Sequence, residues 1–277
     1  MSPLTLGLRF PIMRIVTWNV NGLRARAAHV NRVIEELQPD VLMMQEIKMD
    51  AAIFPVDDFV AAGLPHTTAH GFKGRHGVAI ASRQPLSDID KTVLGGIDDG
   101  RHVSATVATS GGDLRLSSLY VPSGGDKPDV EINDKFAHKM AFMDDMKRFF
   151  AGSGFHVAGG DLNIAPGEQD VHDHKKCRRL VGHSDGERAI MAEAIETGEW
   201  IDTGRHLQPE GPLFSWWGYR FPPAFERNLG WRLDHLWLKH GHADKITGGS
   251  VFRDSRGWEK PSDHAPVILD LNVTAGG

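Results

Sequence analysis

Short apolar runs recur along this chain, and several stop on a polar side chain. Ile15-Val16-Thr17-Trp18 leads to Asn19 and Asn21, and the run from Val41 through Gln45 leads to Glu46. Leu116 to Leu119 leads to Tyr120, and Phe155 to Gly160 leads to Asp161 and Asn163. Ser262-Asp263-His264-Ala265-Pro266 reverses the order and opens onto the strand-like Val267 to Leu271. Alternation predicts half-buried strands over Val103 to Val107 and Leu114 to Leu116, with Gly111-Gly112 as a hairpin turn. Trp231 to Trp237 alternates too and carries Asp234. Helical spacing links Val30, Val33, Ile34 and Leu37, closed by Pro39, and Phe136, Met140, Met143 and Phe150 mark a longer helix. Ser184 with Glu187 three residues on reads as a capping box opening a third helix.

There is no low-complexity linker, no shift of composition and no sequence repeat. Gly95 to Gly100, Pro122 to Pro128, Pro209 to Pro212 and Pro222-Pro223 read as loops. The expectation is one domain over 13–273, with an extension at 1–12 and a short tail at 274–277. Helices lie outside and strands inside.

Composition narrows the class. The 277 residues are 40% hydrophobic and 24% charged, ordinary for a soluble globular chain. No apolar stretch approaches the ~20 residues of a membrane span, and Met1 to Ile12 lacks the basic start and apolar core of a signal peptide. The single cysteine, Cys177, excludes an internal disulfide and fits a reducing compartment. It lies among Lys175, Lys176, Arg178 and Arg179, which reads as a solvated thiol in a basic loop, where cationic neighbours would favour the thiolate. A net charge of −5 argues against indiscriminate nucleic-acid binding. Localised contact remains open through Arg24, Arg26, Lys73, Arg75 and the basic residues at 175–179.

Carboxylates, amides and a histidine at strand ends suit a hard cation and a phosphate. Glu46 follows an apolar strand, so a partner cation would offset its desolvation; the alternative is a strand-end acid in a surface salt bridge. Asn19 and Asn21 offer neutral oxygens or donors beside it. Mg²⁺ is the expected ion, with Mn²⁺ substituting, because it binds through few carboxylates and engages phosphate directly. Asp161 and Asn163 lie two apart, so an extended backbone would point both the same way. There a carboxylate can deprotonate water while an amide donates to a phosphate oxygen. His264, directly after Asp263, would as an imidazolium stabilise the reacting phosphate if an acid held its charge. Tyr120 ends a strand and on its own reads as a buried tyrosine with a routine partner.

Asp170-Val171-His172-Asp173-His174 has a metal-like composition but reads as a solvated connector, with a structural role for Asp170. Phe214, Trp216, Trp217, Tyr219 and Phe221, with Arg220 among them, suit stacking on bases or wedging into a distorted duplex; a core strand would also be aromatic.

TWNVNGLRAR, QEIK, GGDLNIAP, RLDH and PSDHAP together resemble the exonuclease III type of apurinic/apyrimidinic (AP) endonuclease, from about Met13 to Leu271. The resemblance implies a DNase I-like α/β four-layer sandwich: two packed, mainly antiparallel mixed β-sheets flanked by helices. It implies catalytic roles for Tyr120, Asp161, Asn163, Asp234 and His264, with Asp234 as the acid that holds His264. It implies a metal set drawn from Asn19, Glu46, Asp161, Asn163, Asp263 and His264. The DNA-facing residues would be Asn21, Arg24, Lys73, Arg75, Ser123, Trp216, Trp217 and Arg220.

The implied activity is incision 5′ to abasic sites in double-stranded DNA, with 3′→5′ exonuclease and 3′-phosphatase or phosphodiesterase activity at 3′ ends. The expected state is a monomer in the bacterial cytoplasm or nucleoid. One departure is Ser123, where the resembled family often has glutamine or asparagine, and it bears on substrate preference. The rival readings are the same machinery acting on an inositol phosphate or sphingomyelin-type ester, and a DNA-binding module without catalysis.

Overall fold

The computed structural model describes residues 12–109, 111–151, 154–220 and 222–273. The expected tail, all of the expected extension but Ile12, and Phe221 of the aromatic stretch lie outside the described residues.

The predicted apolar runs become the inner strands of two six-stranded sheets. One sheet holds β1 (Met13–Asn19), β2 (Val41–Gln45), β3 (His66–Phe72), β4 (Arg75–Ser82), β11 (Ile246–Val251) and β12 (Val267–Leu271). Its spatial order is β11-β12-β1-β2-β4-β3. The other holds β5 (Leu86–Asp90), β6 (His102–Val107), β7 (Leu114–Tyr120), β8 (Val157–Asp161), β9 (Trp200–Asp202) and β10 (Asp234–Lys239), in the order β5-β6-β7-β8-β10-β9. β1 runs parallel to β2, and β7 parallel to β8; every other pairing is antiparallel. The mainly antiparallel expectation therefore holds, and the two sheets repeat one pattern of pairing that no sequence repeat announces.

A parallel pair needs a crossover, and helices supply both. α1 (Ala27–Leu37) joins β1 to β2, and α3 (Asp134–Ala151) joins β7 to β8. The shorter helices are α2 (Val56–Ala61), α4 (His174–Cys177), α5 (Asp185–Thr197) and α6 (Thr203–Leu207). The inner faces of the two sheets meet through Ile15, Met43, Ile80, Val103, Leu116 and Leu236, all buried. The outer face of the first sheet packs Trp18, Leu42 and Met44 on Val30, Val33, Ile34 and Leu37 of α1. The outer face of the second packs Leu119, Ala158 and Trp237 on Phe142, Met143 and Met146 of α3 and Met191 of α5. The four layers follow.

Several local predictions hold in detail. The β6–β7 hairpin turns through Gly112 at φ 105°, α1 ends on a left-handed Gln38 just before Pro39, and Ser184 and Glu187 form the capping box of α5. The buried stripe of α3 differs from prediction: it runs through Phe136, Lys139, Phe142, Met143, Met146 and Phe150, while Met140 is only half-buried. A lysine on that stripe breaks the apolar period.

Cys177 is a correction. It ends α4 as a buried side chain against Ala165, Val171, Trp231 and Leu233, and burial raises its thiol pKa instead of the basic neighbours lowering it. The 170–174 segment divides. His172 is exposed, as a connector should be, but Asp170 is buried against Arg232 and Arg205, the structural role expected of it. No helix among the described residues is long and apolar enough to cross a membrane.

Candidate active site

Ligands gather where parallel strands end, because crossovers leave a crevice beyond their carboxyl ends. Here β1, β2, β7 and β8 all end in the same direction, and their last or next residues are Asn19, Glu46, Tyr120 and Asp161. β10 runs against β8 in register, so its first residue, Asp234, lies opposite Asp161. β12 runs against β1, which brings Ser262 to His264 to the same end. The first sheet thus supplies Asn19, Glu46 and His264, and the second Tyr120, Asp161 and Asp234.

Their polar atoms form one chain of contacts. The Tyr120 hydroxyl donates to Glu46 Oε1 at 2.8 Å. Asn19 Nδ2 donates both to that Glu46 oxygen at 3.0 Å and to Asp161 Oδ2 at 2.8 Å. His264 Nε2 stands 3.7 Å from Asp161 Oδ2, and its Nδ1 is 2.8 Å from Asp234 Oδ2. Ser215 Oγ completes the line by donating to Asp234 Oδ2 at 2.6 Å. Gly160 makes the central approach possible: a Cβ there would lie 2.0 Å from the Leu119 carbonyl oxygen of the neighbouring strand.

The backbone bends sharply at this end. Asn21, Glu46, Lys48 and Asn163 all have φ near 50°, a region L-residues with side chains seldom occupy. Such strain collects at functional sites, where the surrounding contacts hold it. It also corrects the extended geometry expected of Asp161 and Asn163. The strand stops at Asp161, the Asn163 amide N–H donates to Asp161 Oδ1 at 3.0 Å, and Asn163 Nδ2 donates to the Val121 carbonyl at 2.8 Å.

Charge is arranged unevenly. Burial alone would raise the Glu46 pKa, but hydrogen bonds from Asn19, Lys48 and Tyr120 outweigh it and hold the group at about 2. Asp161 is pushed up to about 7 by burial, which His264 opposes and Asp234 reinforces. Burial works against the charged form of His264, yet Asp234 and Asp161 raise it to about 10, so the ring is an imidazolium at neutral pH.

That charge state decides how the site would hold a cation. Ligand atoms of Asp161, Asp234 and His264 lie within 4.8 Å of one another, and Asp234 Oδ1 is buried with no hydrogen-bond partner. An imidazolium has no lone pair to offer, however, and the His264 ring already faces one carboxylate on each side. With Nδ1 held by Asp234, the ring could meet an ion only through Nε2, after losing the proton there. The oxygen donors Glu46 and Asp161, bridged by Asn19, fit a hard divalent ion. Asp263 has both oxygens engaged, Oδ1 by Asn21 Nδ2 at 2.8 Å and Oδ2 by Trp216 Nε1 at 3.0 Å, so it organises its neighbours.

A cleft of about 450 Å³ opens over these groups and is lined by Glu46, Tyr120, Asp161, Asn163, Asp263 and His264. Ser123, Trp216 and Arg220 line it as well. Lys73 and Arg75 are exposed around the β3–β4 turn, at the same end of the sheet. Arg24 lines a separate groove with Leu23, Val30 and Ile53. Trp217 is a correction to the DNA-facing set. It is fully buried, edge-on to Phe225 and under the Arg253 guanidinium, and so has no face to offer a base.

Lys48, Ser215, Trp231 and Leu233 also belong to the site, beyond the residues expected from the sequence. Lys48 Nζ lies 2.8 Å from Glu46 Oε2 and also donates to Asn21, and its signal was the last letter of QEIK. Trp231 and Leu233 line the cleft beside Trp216, with the two indoles edge-to-face at 6.2 Å. Alternation around Asp234 could have found them. Ser215 carries no sequence signal beyond its place beside Trp216.

The chain is similar to known proteins over most of its length. A model of the Endonuclease/Exonuclease/phosphatase family matches residues 16–264. Exodeoxyribonuclease III of Haemophilus influenzae is 32% identical over 272 residues, covering 94% of this chain and all of that protein. Among solved structures, a 3′ phosphatase from Neisseria bound to a product DNA hairpin is 31% identical with a TM-score of 0.85, covering 94% of this chain and 99% of that one. An AP endonuclease from Archaeoglobus fulgidus is 30% identical with the same TM-score, covering 93% and 98%.

Proposed function

Because the chain belongs to the endonuclease/exonuclease/phosphatase family, we propose that it is a metal-dependent DNA-repair nuclease that incises 5′ to abasic sites and trims or dephosphorylates 3′ ends. The observation that carries this reading is the continuous contact from Tyr120 through Glu46, Asn19 and Asp161 to the His264–Asp234 pair, at the base of an aromatic-walled cleft.

Glu46 and Asp161, with Asn19 between them, would hold Mg²⁺, which when bound neutralises charge on the phosphoryl oxygens. Asp161 orients the attacking water and takes its proton. The His264 imidazolium, kept charged by Asp234, stabilises the negative charge that builds on the phosphate. Asn163 donates with the amide hydrogen not spent on Val121. Tyr120 fixes Glu46 through its hydroxyl. Trp216, Trp231 and Leu233 wall a space suited to a sugar that has lost its base.

The names of the relatives favour DNA over an inositol or sphingomyelin-type ester. The charged, connected site argues against a module that only binds. Incubation with a labelled duplex carrying one abasic analogue tests the reading. Cleavage 5′ to the lesion with Mg²⁺ or Mn²⁺, lost in excess chelator and regained on adding metal, is expected. Full turnover after dialysis into chelator would sink the metal dependence, and an uncut abasic duplex would sink the substrate assignment.

The two tryptophans should separate cleanly. Trp216→Ala is expected to lower kcat/KM on the abasic duplex by roughly tenfold or more, from a stacking contribution of ~1–3 kcal/mol, and to spare a small activated phosphodiester. Trp217→Ala should instead lose about 3–5 kcal/mol of stability, read by thermal melting. Equal losses on both substrates for Trp216→Ala would make that ring part of the scaffold.

A further inference from the structure

The buried stripe of α3 holds a charge that the chemistry above does not use. Lys139 and Glu187 are both fully buried, with Nζ 2.6 Å from Oε1. Two such ions cost several kcal/mol each to remove from water, and an apolar pair of similar volume often packs as well or better. The remaining bonds of Lys139 explain what an apolar pair would lose. Nζ donates to the main-chain carbonyl of Asn163 at 2.8 Å and lies 3.5 Å from that of Ser123.

Both acceptors belong to loops that line the cleft. Asn163 is left-handed and outside any strand, so its carbonyl has no ladder partner, and Lys139 supplies the donor. Beside Ser123, Gly124 has φ 85°, and a Cβ on it would lie 2.8 Å from Lys139 Cδ. The lysine stem therefore supports that loop by packing as well. Glu187 extends the arrangement to a third loop: it accepts the Gly182 N–H at 2.8 Å and the Ser184 N–H at 3.1 Å, and Gly182 lines the cleft.

We infer that Lys139 is a positioning residue for the nuclease site, an ammonium beneath the cleft that fixes Asn163 and the Ser123 loop through their carbonyls. Glu187 is the counter-ion that keeps it charged and ties in the Gly182 loop. The inference rests on the nuclease reading for its rate measurements but not for its spectroscopic ones.

The test separates positioning from stability. Lys139→Met with Glu187→Leu removes both charges, but it also opens the capping box of α5 and leaves the Gly182 N–H and the Asn163 carbonyl unpaired, so it is expected to fold yet melt below the parent. It should also lose on the order of a hundredfold in kcat on the abasic duplex, the scale of a small misplacement of a reacting group, with KM little changed. The Asn163 carbonyl ¹³C resonance should move with it. Glu187→Gln, which keeps the lysine donor, should melt lower yet retain kcat. A folded double variant that turns over at the parent rate, or leaves the Asn163 carbonyl resonance in place, overturns the inference. Should the double variant not fold, a scalar coupling from Lys139 Nζ to the Asn163 carbonyl in the parent protein is the deciding measurement, and its absence overturns the inference too. If the parent itself does not cut the abasic duplex, the functional reading falls, while the resonance and the coupling still decide the role of Lys139.

Discussion

Asp161→Asn is expected to lower kcat on an abasic duplex by about 10²–10⁴-fold while leaving duplex affinity nearly intact. The substitution preserves shape, and its single amide oxygen can still accept from one of the two donors that now hold the separate carboxylate oxygens, Asn19 Nδ2 on Oδ2 at 2.8 Å or the Asn163 N–H on Oδ1 at 3.0 Å. What disappears is the site for a proton. The pH dependence gives a second readout. Burial raises Asp161 to about 7, so its basic form gains population as pH rises through that value. Asp234 and Asp161 raise His264 to about 10 against the effect of burial, so its acidic form is lost as pH rises through that value. Activity should therefore occupy the window between the two, with a bound cation moving the lower limb further down. In Asp161→Asn the lower limb should vanish. A variant that binds DNA poorly but keeps its kcat at saturation would show that Asp161 holds substrate and does not act on water.

Asp170→Ala should be as damaging to stability as Trp217→Ala, costing about 3–5 kcal/mol. Asp170 accepts from Arg232 Nε at 2.7 Å and Nη2 at 3.1 Å, from Arg205, and from the Gly167 N–H at 2.7 Å. Removing it leaves the buried Arg232 with Asp202 alone, at 2.7 and 2.9 Å. At about 2–4 °C per kcal/mol for a chain of this size, the melting midpoint should fall by roughly 6–20 °C. The acid limb of stability should change as well. Burial opposes the charged form of Asp170, but Arg232 and Arg205 outweigh it and hold the carboxyl below its usual range. A depressed carboxyl stabilises the fold above its unfolded pKa, near ~3.9, and that contribution is lost as pH falls through the folded value. The variant should lack it. A midpoint within a degree or two of the parent would mean that Arg232 finds another partner.

The site was legible because its residues end strands. An apolar run that stops on Glu46, Tyr120 or Asp161 announces both the strand and the group it delivers, and two parallel crossovers bring those ends together. The layers were legible as alternating elements, although their grouping into two packed, mainly antiparallel sheets came from the resemblance to a known family, and the order of strands came only with the structure. What stayed hidden has physical causes. Lys139 reads as a surface residue because nothing in a helical pattern shows a carboxylate and two carbonyls waiting behind it. Trp216 and Trp217 are neighbours of one type, and only the turn of the chain sends one to the cleft and the other into the core. Cys177 sits among cations in sequence, but the four residues of α4 turn it inward, away from them. The left-handed backbone at Asn163 similarly defeats an alternation rule that assumes the strand continues.

Since Asn19, Glu46 and His264 come from one sheet and Tyr120, Asp161 and Asp234 from the other, the proposed site is complete only when both sheets are in place. During synthesis Glu46 emerges early and Asp161 past the midpoint, whereas His264 and β12, which pairs with β1, emerge more than a hundred residues after Asp161. A growing chain would thus lack His264, and with it the complete site, until β12 docks on β1.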